Sequence, residues 1–278
     1  MKNFAVFALF LGLWASTPEG AISWKQKDMD GTRTGVTIPT ADNISEALGS
    51  ISGGVYTAPN GRVFKKGSTP RVASLMLDAQ EIMAPVKETI GFSTNAMKRR
   101  RPECALSDWF CDFLMEKTAE ITDKQVDLSI YNFGGIRTDM PQGLITVDDV
   151  MSMFPFRNTL CYVALKGVDV RSIFQWLAAN GMQAVGGVKV TVRDGKLESL
   201  LVGDEPLDDR KIYGVATVNF LLDGGDGLKI ARNAQDLVIS DVYVMDAVIP
   251  YIRSLHKEGK PVEYQADGRV TIINSEEQ

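Results

Sequence analysis

The stretch Tyr131-Asn132-Phe133-Gly134-Gly135-Ile136-Arg137 is where residue types and spacing first suggest chemistry. Before it, Val126-Asp127-Leu128-Ser129-Ile130 alternates apolar and polar residues, the signature of a strand. Two adjacent glycines follow. Lacking a Cβ, they let the backbone turn sharply and let another group approach closely. Arg137 stands just past the turn and offers a planar, permanently charged fork of donors. A strand, a glycine turn and a presented arginine suit an oxygen-rich ligand; the same residues also suit a plain tight turn with a solvated arginine. Other chemistry is poorly served. The one histidine, His256, falls in a helical stretch of ordinary surface residues. There is no Gly-x-Ser-x-Gly elbow and no histidine placed to activate a nucleophile. The three cysteines, Cys104, Cys111 and Cys161, have no zinc spacing and read as small core hydrophobes.

Two later stretches share this character. One is Phe154-Pro155-Phe156-Arg157-Asn158-Thr159, and the other is Thr217-Val218-Asn219-Phe220-Leu221-Leu222-Asp223-Gly224-Gly225-Asp226-Gly227. Taken in order with Asn132 to Arg137, they resemble the C-terminal domain of the 5′-nucleotidase family, which includes UDP-sugar hydrolases. The resemblance covers roughly residues 90 to 274. In that family this domain binds the substrate's nucleoside, while an N-terminal metallophosphatase domain holds two catalytic metal ions. The resemblance implies that Phe156 and Phe220 sandwich the base and that Asn132 and Asn158 hydrogen-bond around it. It also places Arg137 toward the sugar–phosphate and Asp226 on the ribose hydroxyls, with Gly135 and Gly187 making room. Two positions depart from the family pattern. Arg157 stands where glycine is usual. The arginine expected just before a Glu-Ser or Glu-Cys pair is displaced by Pro102 ahead of Glu103-Cys104, leaving Arg101, then Arg100 and Arg99, as the nearest candidates.

A single histidine cannot supply the imidazole ligands that a dinuclear metal centre of that family needs. These residues therefore carry no metallophosphatase half. The expectation is no cofactor in this chain, with a divalent metal pair only in a partner metallophosphatase subunit.

The elements that must position these residues are legible from periodicity. Pro70 to Ile90 reads as a helix with an apolar stripe through Val72, Leu75, Met76, Ala79, Ile82, Met83 and Val86, followed by a strand to Ser93. Glu103 to Ile121 reads as a second helix, buried through Leu106, Trp109, Phe110, Phe113 and Leu114. Thr146 caps a short helix. A strand over 158–165 and a helix over 168–180 follow. Asp194-Gly195 then joins strands 187–193 and 196–202 in a hairpin. A strand over 212–220 leads into the glycine loop, a helix covers 242–255, and a strand closes at 269–273. Helices and hairpins mix without regular βαβ alternation. The expected class is α+β, a mixed or antiparallel sheet with packed helices, like the C-terminal domain of the 5′-nucleotidases.

Residues 1–21 combine a short positive start with an apolar run from Phe4 to Ala15 and read as a cleaved signal peptide. Residues 22–68 read as an irregular arm with a short helix near 41–48, and 69–278 as the domain proper. The net charge of −5, without a large basic block, argues against nucleic acid, and no later stretch is apolar enough for a membrane helix. The reading is an exported, periplasmic or extracellular, nucleoside- or nucleotide-binding domain that completes a separately encoded metallophosphatase. The alternative is a stand-alone nucleoside-binding or structural module without hydrolase activity.

Overall fold

The computed structural model describes residues 32–39 and 43–275; the expected export signal at residues 1–21 lies outside the described residues. Two compact units are present, one drawn from residues up to 74 and one running from residue 75 onward.

The first unit begins with α1 (Ile44–Leu48) and continues into β1 (Ser50–Ser52), β2 (Val55–Thr57) and β3 (Val63–Phe64), paired in that order as a small antiparallel sheet. The composition predicted an irregular arm here. The strands form because Gly53 and Gly54 both take positive φ and turn β1 back onto β2, and because Tyr56 buries its ring and donates its hydroxyl to the Leu48 carbonyl. Helix α2 (Ser68–Met83), which spans the boundary at residue 74, stops short of the expected end at Ile90, where Pro85 lies in a 3-10 turn. Its apolar stripe is not all covered, however: Val72, Leu75, Met76, Ile82 and Met83 are exposed, while Ala73 and Gln80 are buried.

The second unit is built around a five-stranded sheet. After β4 (Thr89–Ser93) comes α3 (Ala105–Thr122), then β5 (Leu128–Tyr131), β6 (Gly143–Thr146), α4 (Val147–Met153), β7 (Thr159–Lys166), α5 (Gly167–Asn180), β8 (Ala184–Gly186), β9 (Val188–Arg193), β10 (Lys196–Val202), β11 (Glu205–Pro206), β12 (Ile212–Val218), β13 (Asp236–Tyr243), α6 (Val244–Lys257) and β14 (Val270–Ile273). The central sheet runs β13-β7-β12-β5-β8; a second sheet runs β11-β10-β9-β14, and β4 pairs with β6. Sheets and helices mix as an α+β fold. In β7 and β12 nearly every residue on both faces is buried, which explains their almost unbroken apolar runs. Asp194 and Gly195, both at positive φ, make the expected hairpin turn between β9 and β10. Thr146 caps α4 by accepting from the Asp149 backbone N–H, and Asp149 reciprocates onto the Thr146 N–H. Among the described residues, no helix is long and apolar enough to cross a membrane.

The helix α3 supplies the core. Leu106, Phe110, Cys111 and Leu114 are fully buried, and the Phe110 ring lies 4.5 Å from both Tyr131 and Phe154. The three cysteines are free and buried. Burial pushes the Cys161 thiol up to about 11 and raises that of Cys111 further.

One end of α3 is bolted to the C-terminal strand by charge. The Arg269 guanidinium, almost fully buried, meets Asp112 in two hydrogen bonds of 2.8 and 3.0 Å and Asp267 at 2.8 and 3.0 Å. Glu103 accepts from the backbone N–H groups of Gly268 and Val270 at 2.7 and 2.8 Å. Asp108 is buried beside them, with its Oδ2 3.7 Å from Arg269 Nε and without a hydrogen bond.

Burial pushes the Asp108 carboxyl up to about 7, against the pull of Arg269 and with the neighbouring Glu103 raising it further. An unfolded aspartate titrates near ~4. Between those limits the folded chain holds a proton that the unfolded chain has released, so this group makes stability fall as pH rises. Asp108→Asn is expected to remove that slope and to gain relative to wild type above neutral pH. Urea midpoints at mildly acidic and mildly alkaline pH measure it, and an unchanged slope would contradict the assignment.

Candidate functional site

Strand directions decide where the chemistry-bearing residues meet. β5 and β12 are parallel, so the segments leaving their C-terminal ends, Asn132–Arg137 and Asn219–Gly227, emerge side by side. β7 is antiparallel to β12, with Leu160 opposite Val218, so the residues entering it, Phe156–Asn158, reach the same end. β8 is antiparallel to β5, with Ala184 opposite Tyr131, which brings Met182 and Gln183 there too. β13 is antiparallel to β7 and delivers Tyr243 to that end beside Thr159.

Local contacts fix the loops. Thr217 Oγ1 donates to the Ile130 carbonyl at 2.9 Å, tying β12 to β5 just below the site. Asn219 Oδ1 accepts from the Thr159 N–H at 3.0 Å, so the turn carrying Phe220 is tied to the one carrying Phe156. Gly225 lets the loop fold back on itself: a Cβ there would stand 2.0 Å from the Phe220 carbonyl. Asp226 takes a left-handed backbone (φ 48°) and points its carboxylate at Asn132, whose Nδ2 donates to Asp226 Oδ2 at 2.9 Å. Asn132 is buried, and its Oδ1 has no hydrogen-bond partner. A buried amide oxygen left unpaired costs free energy that a donor on a ligand would recover.

Phe156 and Phe220 are 46% and 42% exposed, unusual for large apolar rings in a chain with a well-filled core. Arg137 sits 5.9 Å over the Phe156 ring and donates weakly to the Gly134 carbonyl at 3.4 Å, leaving most of its fork free. Arg157 is engaged by Tyr243: its guanidinium lies 4.9 Å from the Tyr243 ring and donates to the Tyr243 hydroxyl at 3.3 Å. Asn158 is half-buried, and its carbonyl accepts from the Val244 N–H at 2.9 Å. Arg101 reaches the site from the segment before α3. Its guanidinium covers the buried Phe133 ring at 4.8 Å and donates to the Met182 carbonyl at 2.6 Å and to Gln183 Oε1 at 3.3 Å.

The structure thus gathers Asn132, Gly135, Arg137, Phe156, Asn158, Phe220, Asp226 and Arg101 at one end of the sheet. Gly187 is not with them. It lies past the opposite end of β8, at φ +69°, where a Cβ would stand 2.3 Å from the Asp127 carbonyl and 2.7 Å from Met115 Cε. The residue that sequence reasoning missed is Gln183. Its Oε1 accepts from the Phe133 N–H at 2.9 Å and also meets Arg101, so it joins two of the site's segments. A lone Gln after Met182 carries no motif; only the pairing of β8 with β5 gives it a role.

Among the described residues, one group of potential metal ligands is close-set: Glu103, Asp108 and Asp267, with ligand atoms within 4.8 Å of one another. These residues do not fit a catalytic metal pair. Glu103 is held by backbone N–H groups, Asp267 is paired with Arg269, and the guanidinium already supplies the positive charge. His256 stands alone, its ring 6.2 Å from that of Phe92.

Comparison with known proteins bears on this arrangement. The family model described as "5'-nucleotidase, C-terminal domain" matches residues 84–233. Protein UshA of Escherichia coli (strain K12) is 31% identical over 140 residues, 49% of this chain and 26% of that protein. A 5'-nucleotidase-related protein of Glossina morsitans morsitans is 25% identical over 202 residues, 63% of this chain and 36% of that protein. A solved 5'-nucleotidase precursor from Thermus thermophilus superposes with a TM-score of 0.64 at 25% identity, over 78% of this chain and 45% of that one. The chain therefore spans less than half the length of these relatives.

Gly135 is tested by a methyl group. A Cβ there would stand 2.3 Å from the hydroxyl oxygen of Tyr131, itself buried against Phe110. Gly135→Ala is expected to destabilise the fold by about 1–3 kcal/mol through overpacking, read from the denaturant midpoint. A neutral result would mean that the turn yields without cost.

Proposed function

Because the chain belongs to the 5′-nucleotidase family, as its C-terminal domain, we propose that the loop end of its central sheet binds the nucleoside part of a nucleotide. The observation that carries this reading is the pair of exposed rings, Phe156 and Phe220, on loops tied to each other through Asn219 and Thr159 at the sheet end that carries the Asn132–Asp226 hydrogen bond. A base stacked on aromatic rings gains ~1–3 kcal/mol, with little regard to its identity. Asn132 Oδ1 accepts a ligand donor, and Asp226, one oxygen already engaged by Asn132, keeps the other for a ribose hydroxyl. Arg137, held over Phe156 with most of its donors free, faces the sugar–phosphate. Arg101 and Gln183 hold the Phe133 turn from behind.

We infer further that the chain completes a separately encoded metallophosphatase, whose own residues would hold the metal pair and whose metals would supply the activation of water. This chain's part is to bind, orient and exclude solvent, which lowers the entropic cost of reaction. Export of the complex, with the first 21 residues as its signal, belongs to the same proposal.

Calorimetric titration with adenosine and then AMP tests the site. Saturable adenosine binding is expected, weakened about 10- to 100-fold in Phe220→Ala, the equivalent of ~1–3 kcal/mol. Absence of binding in the wild-type chain, or an unchanged affinity in the variant, would remove the reading. For the partner, phosphate release from AMP is expected to rise when a candidate metallophosphatase chain is mixed with this one and to fall back with Phe220→Ala.

A further inference from the structure

Behind the Asp226 loop lies a groove that the nucleoside reading does not use. Its volume is about 520 Å³, within the range of small-molecule sites. One wall is a single face of α5, where Asp169, Ser172 and Trp176 recur at helical spacing. The other wall is the segment 227–233, contributing Lys229 and Arg232, and the buried Leu228 and Ile230 form the floor.

Three features give the groove a chemical character. Trp176 is 36% exposed and presents its indole to the cavity, and a large aromatic held at such a surface is a stacking platform. Lys229 and Arg232 are exposed and form no ion pair among the described residues. The Asp169 carboxylate also lines the groove, its Oδ1 accepting from Asn233 Nδ2 at 2.5 Å. A flat ring beside two free cations fits a planar molecule bearing an anion.

The groove is also joined to the other site. Gly227 follows Asp226 directly and takes φ +80°, and a Cβ on it would stand 2.7 Å from Trp176 Cζ2. The indole therefore lies flush against the backbone that aims Asp226 at Asn132. The contact leaves no room for a side chain at position 227.

We propose that the groove between α5 and residues 227–233 is a second ligand site, for a heteroaromatic phosphate, and that the Asp226 loop responds to its occupancy. The response, though not the groove's own binding, rests on the reading of the Phe156–Phe220 end as a nucleoside site.

The test is an NMR titration of the full chain carrying Phe220→Ala, with the Trp176 indole N–H assigned through Trp176→Phe. AMP supplies ring and anion together; adenosine and inorganic phosphate supply each alone. The indole resonance is expected to shift saturably with AMP and more weakly with either part. Lys229→Ala with Arg232→Ala, both at exposed positions, is expected to weaken AMP by about tenfold. The Gly227 amide is expected to move with the same midpoint. An indole resonance that stays fixed under AMP, or shifts equally in the double variant, overturns the site; a fixed Gly227 amide beside a moving indole overturns the coupling. Because the titration is run without the Phe220 ring, loss of adenosine binding in the wild-type calorimetry would sink the nucleoside reading and leave this result standing.

Discussion

The parallel pairing of β5 with β12, which sets Val215 against Leu128 and Ala216 against Ser129, is the constraint on which the site depends. Parallel neighbours send their C-terminal ends the same way, so two loops far apart in sequence open side by side, where Asn132 and Asp226 then join them. Every other strand of the sheet then runs antiparallel to one of that pair or to β7, and the start of β7, the start of β8 and the end of β13 arrive at the same place. A slip of one residue between β5 and β12 would turn every side chain of the shifted strand to the opposite face. The hydroxyl of Thr217 on the Ile130 carbonyl helps to forbid it.

How much of this could be read in advance follows the range of the interactions. The helices α3, α4, α5 and α6 announce themselves by local periodicity and caps, and the β9–β10 hairpin by its Asp-Gly turn. β13 has no such signal. It is an edge strand, mostly exposed or half-exposed, with Asp236, Ser240 and Asp241 among its eight residues, and it exists because β7 offers it a hydrogen-bonding edge. The three short strands after α1 depend in the same way on a Gly-Gly turn and one buried tyrosine.

The site divides along the same line. Asn132, Phe156, Phe220 and Asp226 stand in motifs whose order alone suggests that they meet. Gln183 and Gly187 do not. They lie near opposite ends of a three-residue strand, so which of them belongs to the site is decided by the register of β8 on β5, Ala184 against Tyr131 and Gly186 against Ser129. The resemblance points to Gly187, whereas strand direction, invisible in a single chain, brings Gln183 to the site end. Arg157 shows the converse. Standing where the family usually has glycine, it suggests a side chain that narrows the pocket or meets phosphate, but Tyr243, delivered by β13, engages its guanidinium.

The sealed thiols carry a consequence for how the chain is made. In the finished fold Cys104, Cys111 and Cys161 are all buried, and burial keeps Cys111 and Cys161 in the protonated form that reacts poorly with oxidants. The emerging chain has no such protection. Cys104 and Cys111 belong to the start and body of one helix, which forms from contacts close in sequence, whereas Cys161 is covered only when β7 is flanked by both β12 and β13. Under oxidising conditions folding therefore competes with thiol oxidation, and the pairing of β7 with both neighbours ends the exposure of Cys161.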